Sequence, residues 1–319
     1  MPLLVPQVIP KPKPSPGQQS VTGQQWRTHI VTWTSWDGEV TYLTDHGHLI
    51  LEGVRGLDMP KFNHFMDEPP GMDGAISRGV RATVREIFLP LDISGRTRQE
   101  FLDKKRTLLR RMDPKRGTGR LTWAEPDGTR RHIDCFYDSG MEGEYGRGDH
   151  TRVSQKFGLV LKAFDPYWYG DAEDHVWKTP EGSGGGSFFP LVHDQDNFVE
   201  LEPSQVLGST SVVNDGDVEA WPVWTITGPA TSIELENVTT GKKIELSSTL
   251  SAGQKRIITT KPGVSTVLDE NGDNKWSELS DTSALWALEP GLNELVLTVG
   301  NSDAATVVEM TYHPRYEGV

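Results

Sequence analysis

Asp45, His46 and His48 bring a carboxylate and two imidazoles within four residues, a donor set that suits zinc. No further ligand is identifiable beside them, and a solvated loop near a hairpin end accounts for all three. His132, Asp134 and Cys135 raise a second prospect, a thiol nucleophile with its base. In an extended strand, however, His132 and Asp134 share one face while Cys135 points to the other. That spacing favours a buried structural cysteine. Asp269, Asn271 and Asp273 have the look of a calcium loop, but the glycine comes two positions early and no glutamate closes it. A turn at Asn271-Gly272 explains those residues with less machinery.

Other catalytic signatures are missing. The chain has no G-x-S-x-G elbow, P-loop, H-E-x-x-H or strand-to-helix dinucleotide fingerprint. The glycines of 181–187 (GSGGGS within it) lack a Walker lysine and read as a linker. Forty-five acidic residues allow many carboxylate pairs, but none is singled out for glycoside chemistry. The sequence therefore predicts no enzyme, no cofactor and no metal.

Charge is informative in its placement. Of 319 residues, 32 are basic and 45 acidic, a formal net charge of -13. Residues 1–175 hold 24 of each sign, whereas 176–319 hold 8 basic and 21 acidic. So sharp a shift beside a Gly/Ser-rich stretch predicts a domain boundary, with a second half repelled by nucleic acid and anionic membranes. A single cysteine excludes a disulfide framework, and no apolar run approaches a spanning length. The proline-cut start lacks the layout of a secretion signal. A soluble protein of a reducing compartment is expected.

These side chains must be positioned by a mainly β chain. Residues 1–25 form a Pro-rich arm, and 26–175 a β-rich domain opening with a hairpin around Asp37-Gly38. A loop is expected at 58–74, then one or two long strands in AISRGVRATVREIFLPL, with Val80, Ala82 and Val84 facing away from Arg81, Thr83 and Arg85. Thr97 and Glu100 make a capping box that starts a helix over about 97–112. Phe101, Leu102, Leu108, Leu109 and Met112 define its apolar face. Lys104, Lys105, Arg106, Arg110 and Arg111 lie opposite, a solvated face or a salt-bridged subunit interface. Residues 176–200 read as a Gly/Ser-rich linker. At least seven short strands in 201–319, broken by turn dipeptides, predict an all-β sandwich or jelly roll. Its Trp224 and Trp286 fall at core positions, leaving Trp276 as the most exposed ring and the candidate for stacking on a sugar.

The order of segments resembles the distal tail proteins of long, non-contractile-tailed bacteriophages, also known as siphovirus minor tail proteins. The likeness rests on Asp165-Pro-Tyr-Trp168, on Asn214-x-Gly216…Pro222…Gly228-Pro229, and on Leu288-x-Pro-Gly-x-Asn293. It implies a first domain that builds a hexameric ring and a galectin-like second domain that projects from it. It also implies a place in the virion at the tail tip, after assembly in the host cytoplasm. Partners would be further copies, the tail tube, a hub protein and other baseplate or fibre proteins, without direct nucleic-acid or membrane binding. Lys104, Lys105, Arg106, Arg110, Arg111, Asp165, Tyr167 and Trp168 are then the candidate subunit-contact residues. A closed ring needs two different complementary patches on each copy. The alternative, from another class, is a carbohydrate-binding module holding a host wall glycan through Trp276.

Overall fold

The computed structural model describes residues 29–71, 73–143, 150–178 and 205–319, with backbone alone at 205 and 206. The arm at 1–25 and the glycine run at 181–187 lie outside the described residues.

The Asp37-Gly38 turn joins β1 (Ile30–Thr34) to β2 (Val40–Tyr42), with Gly38 at φ 83°. Then come β3 (His48–Ile50), β4 (Phe62–Asp67), β5 (Ile76–Ala82) and β6 (Arg85–Ser94). The stretch expected to be a loop at 58–74 thus contains a strand, which pairs with β5 as a separate two-stranded ribbon. Helix α1 (Arg98–Arg111) follows, and Thr97 accepts the Glu100 amide as its cap. Glu100 reaches back to the amide of Arg96 rather than to that of Thr97. Phe101, Leu108 and Met112 bury the apolar face, whereas Leu109 is 39 % exposed and departs from the expected stripe.

β7 (Gly119–Ala124), β8 (Arg130–Ser139), β9 (Ser154–Ala163) and β10 (Trp168–Tyr169) complete the first half. The main sheet runs β2-β1-β7-β8-β9-β6-β3, antiparallel throughout. Alternate side chains of β6, Ile87, Leu89, Leu91 and Ile93, enter one core with Trp33, Phe101, Leu161 and Trp168. Gly119 is required beneath Trp33, because a Cβ there would sit 2.0 Å from the indole.

The second half comprises β11 (Glu173–Lys178), β12 (Gln205–Val206), β13 (Ser209–Asn214), β14 (Val223–Thr227), β15 (Ser232–Asn237), β16 (Lys242–Leu246), β17 (Lys255–Thr259), β18 (Thr266–Asp269), β19 (Gly291–Gly300) and β20 (Val307–Tyr312). A six-stranded sheet, β12-β11-β20-β14-β17-β18, faces a four-stranded one, β13-β19-β15-β16, across a second core. Trp224 lies at its centre, 5.5 Å edge-on from Trp286 and 5.9 Å stacked from Trp177. All seven strands expected in this half are present.

The chain end crosses back. β21 (Arg315–Tyr316) pairs with β10, and Tyr316 and Val319 pack against the first core.

Candidate functional site

Two places gather charged groups in unusual settings: the junction between the two cores, and the C-terminal end of α1. The junction is built on Asp165, which follows β9. One carboxylate oxygen accepts Arg315 Nη2 at 3.0 Å; the other accepts Lys261 Nζ at 2.7 Å and the Tyr169 hydroxyl at 2.5 Å. Lys261 also donates to that hydroxyl at 2.7 Å. Arg315 adds a bond to the Glu219 carbonyl and lies 4.5 Å over the Tyr167 ring. Burial raises the Asp165 pKa, but Arg315 and Lys261 outweigh it and hold the carboxyl at about 2.

Beside this network Arg85 is 3 % exposed. Its guanidinium donates to the carbonyls of Pro166 (2.5 Å), Gly56 (2.9 Å), Asp58 and Glu317 (2.5 Å). It therefore does not lie with Arg81 on an outer face, as alternation predicted. The cause is tertiary, since four backbone acceptors from three separate segments converge on one fork. Desolvation lowers its pKa to about 10. The Trp168 indole is wholly buried and donates to the Leu57 carbonyl at 2.9 Å, so it serves the junction and presents no outer surface. Tyr167 keeps to the same place, beneath Arg315.

The sandwich side of the junction uses the other residues singled out by sequence. Asn214 donates to the carbonyls of Val218 and Leu288 and accepts the Gly216 amide. A Cβ on Gly216 would fall 2.6 Å from the Arg315 carbonyl, so only glycine lets β21 pass so close. Asn293 closes the Glu289–Gly291 turn with bonds at 2.7 and 3.0 Å and receives Asn237. These side chains hold neighbouring backbone segments in place.

Along α1 the five cations divide. Lys104 pairs with Glu100 at 2.7 Å, Lys105 donates to Gln155 at 2.7 Å, and Arg111 holds Glu39 and Thr41 at 2.8 and 2.7 Å. Arg106 and Arg110 are exposed and make no hydrogen bond or ion pair among the described residues. Arg110 borders a cavity of about 450 Å³ lined by Leu109, Met112, Pro114, Tyr137 and Met141. It also borders a smaller one shared with Trp36 and Arg116, whose guanidinium lies 5.7 Å over the Trp36 ring.

The other sequence candidates resolve plainly. Cys135 is buried and its thiol pKa is pushed far up by desolvation. His46 is exposed, but His48 is buried at 8 % exposure, against the expectation of a solvated loop residue. Among the described residues no group of three or more His, Cys, Asp and Glu side chains could hold a metal. Asp269 accepts the amides of Asn271 and Asp273, closing a turn. Trp276 opens a 3-10 turn and is 45 % exposed. Among the described residues no helix is long and apolar enough to cross a membrane. The Asp165–Lys261 and Arg85–Glu317 contacts escaped sequence reasoning, which sees no pairing across such separations.

Residues 215–316 match the family of siphovirus-type tail components, C-terminal domain. The fold is similar to that of the SPP1 phage Dit protein, described as a paradigm of hub adsorption apparatus in phages infecting Gram-positive hosts. There the TM-score is 0.64 at 16 % identity, over 90 % of this chain and 99 % of that one. It is also similar to a chain of the phage p2 baseplate in its activated conformation with calcium, with TM-score 0.54, 12 % identity and coverage of 92 % and 99 %. The strontium form of that baseplate gives 0.53 at 12 % identity with the same coverage. No curated protein matches the sequence.

Proposed function

We propose that this chain is a structural adaptor of a bacteriophage tail tip, its first half building a hexameric ring and its sandwich projecting toward baseplate or receptor-binding proteins. The observation carrying this reading is a Dit-type fold over 90 % of the chain, joined to a tail-component match at 215–316. The junction supports it physically. Asp165, Lys261, Arg315 and the Arg85 cage tie the sandwich to the first core through partly buried charge-assisted bonds, which suit a part that transmits position. Asp165 and Arg315 are spent on each other, and Arg85 on backbone carbonyls, an arrangement that holds separate segments together.

The partners under this reading are further copies, the tail tube, a hub protein and fibre or baseplate proteins, in the virion. Negative-stain electron microscopy of the purified protein tests it: closed rings are expected, and no clearing of cell-wall material. Dispersed single chains, or turnover of wall polymer, would refute it. A second reading, attachment to a host glycan, has the exposed Trp276 in its favour. The four-stranded sheet contains no aromatic residue in any strand, so its outer face offers pyranose rings nothing to stack on. Titration with wall polysaccharide against Trp276→Ala distinguishes it.

A further inference from the structure

The β4–β5 ribbon stands apart from both cores. It pairs with no other strand, and β4 and β5 are exposed except at Phe62 and Ala82. Yet Phe65 is 52 %, Met66 53 %, Ile76 41 % and Val80 53 % exposed. Phe65 and Met66 are consecutive, so large apolar side chains project from both faces. A free two-stranded ribbon is marginal in water, and exposed apolar surface of this kind marks a contact. Its tip is acidic. Asp67 pairs with Arg78 at 2.5 Å, while Glu68 and Asp73 are exposed and make no ion pair among the described residues.

The surface over the end of α1 is its complement. Leu109, Met112, Tyr137, Met141 and Trp36 supply apolar walls; Glu39 and Asp113 offset Arg111 and Arg116 there, which, among the described residues, leaves Arg110 as the groove's unpaired cation, with Arg106 one helical turn before it. Within one chain the two surfaces do not meet, since the ribbon's apolar groups stay in solvent. The ribbon and the Trp36 side of the groove sit toward opposite margins of the main sheet, while the Tyr137 side lies on its central strand, β8. The ribbon leads into β6, next to the β3 edge, whereas Trp36 and Glu39 belong to the β1–β2 hairpin at the other edge.

We infer that the acidic, apolar tip of the β4–β5 ribbon of one copy docks into the apolar groove beside Arg110 at the C-terminal end of α1 of the next. Two unlike patches give a head-to-tail contact, and such a contact repeats into a ring when its rotation closes. The apolar residues supply the buried area, and Glu68 and Asp73 against Arg106 and Arg110 set the register. The inference rests on the ring reading and specifies which surfaces close the ring.

Two chains with one added cysteine each, Glu68→Cys and Arg110→Cys, are mixed and oxidised, each retaining the buried Cys135. Particle masses are measured in parallel for wild type, Arg110→Glu, Glu68→Arg and the double swap. The expected result is a disulfide between unlike chains that forms far faster than between like ones. Either single swap should shift the mass to single chains at least tenfold more readily, and the double swap should restore the wild-type mass. A closed wild-type oligomer whose mass ignores both swaps, with no preferred cross-link, overturns this docking but leaves the ring. A wild type that stays a single chain and does not cross-link overturns the ring reading and the docking together. Glu68 and Arg110 are exposed, and thermal melts matching wild type establish that each variant is folded.

Discussion

Asp165 and Arg315 lie 150 residues apart in sequence and meet at 3.0 Å, where the end of the chain returns to pair with β10. The Arg315 side chain is 7 % exposed and that of Asp165 26 %, so water screens the pair little. Lys261 reaches the same carboxylate from the sandwich. One acid thus holds two cations and ties both cores to the chain terminus.

Asp165 makes the junction sensitive to acid. Its folded pKa of about 2 is below the ordinary 3.8, so its contribution is complete above 3.8 and is lost as pH falls toward 2. The shift corresponds to about 2 kcal/mol of stability. Asp165→Asn should lose a comparable amount at pH 7 and flatten the stability profile between pH 4 and 2. Urea unfolding across that range measures both.

Arg85→Met should destabilise the fold by roughly 3 kcal/mol, because four buried carbonyls lose their donor at once. Chemical denaturation at pH 7 measures the loss. Arg85→Lys should recover only part of it, since an ammonium cannot reproduce the planar fork.

Gly216→Ala places a methyl group 2.6 Å from the Arg315 carbonyl and 2.7 Å from its amide. β21 should detach before either core unfolds. Hydrogen exchange at residues 315–319 is expected to accelerate by about tenfold or more, the equivalent of about 1.4 kcal/mol, while amides of β6 and β9 stay protected.

Cys135 should resist thiol reagents in the native protein. It is fully buried, and desolvation keeps the thiol protonated. Labelling should require unfolding and proceed at the unfolding rate, a comparison made by mass spectrometry with and without denaturant.

Local grammar was the legible part of this fold. Asp37-Gly38 marked the first hairpin, Thr97 with Glu100 marked the start of α1, and turn dipeptides marked off β14 through β20. Within the ribbon β5 was expected, but β4 was hidden because Phe62–Asp67 shows no alternation when both of its faces meet solvent, and Pro69-Pro70-Gly71 at the tip looks like any loop. Arg85 was misplaced because alternation assigns a face but says nothing of a carbonyl cage on that face. Among the candidate contact residues, sequence could name the cations of α1 but could not separate Arg106 and Arg110 from Lys104, Lys105 and Arg111. Each of the latter three finds a partner through a fold contact or a helical turn.

Native mass spectrometry of the purified full-length chain tests the central claim most directly. A dominant species at six times the chain mass is expected, and it should survive dilution to micromolar concentration. A single-chain mass at every concentration, with the fold intact, would contradict it.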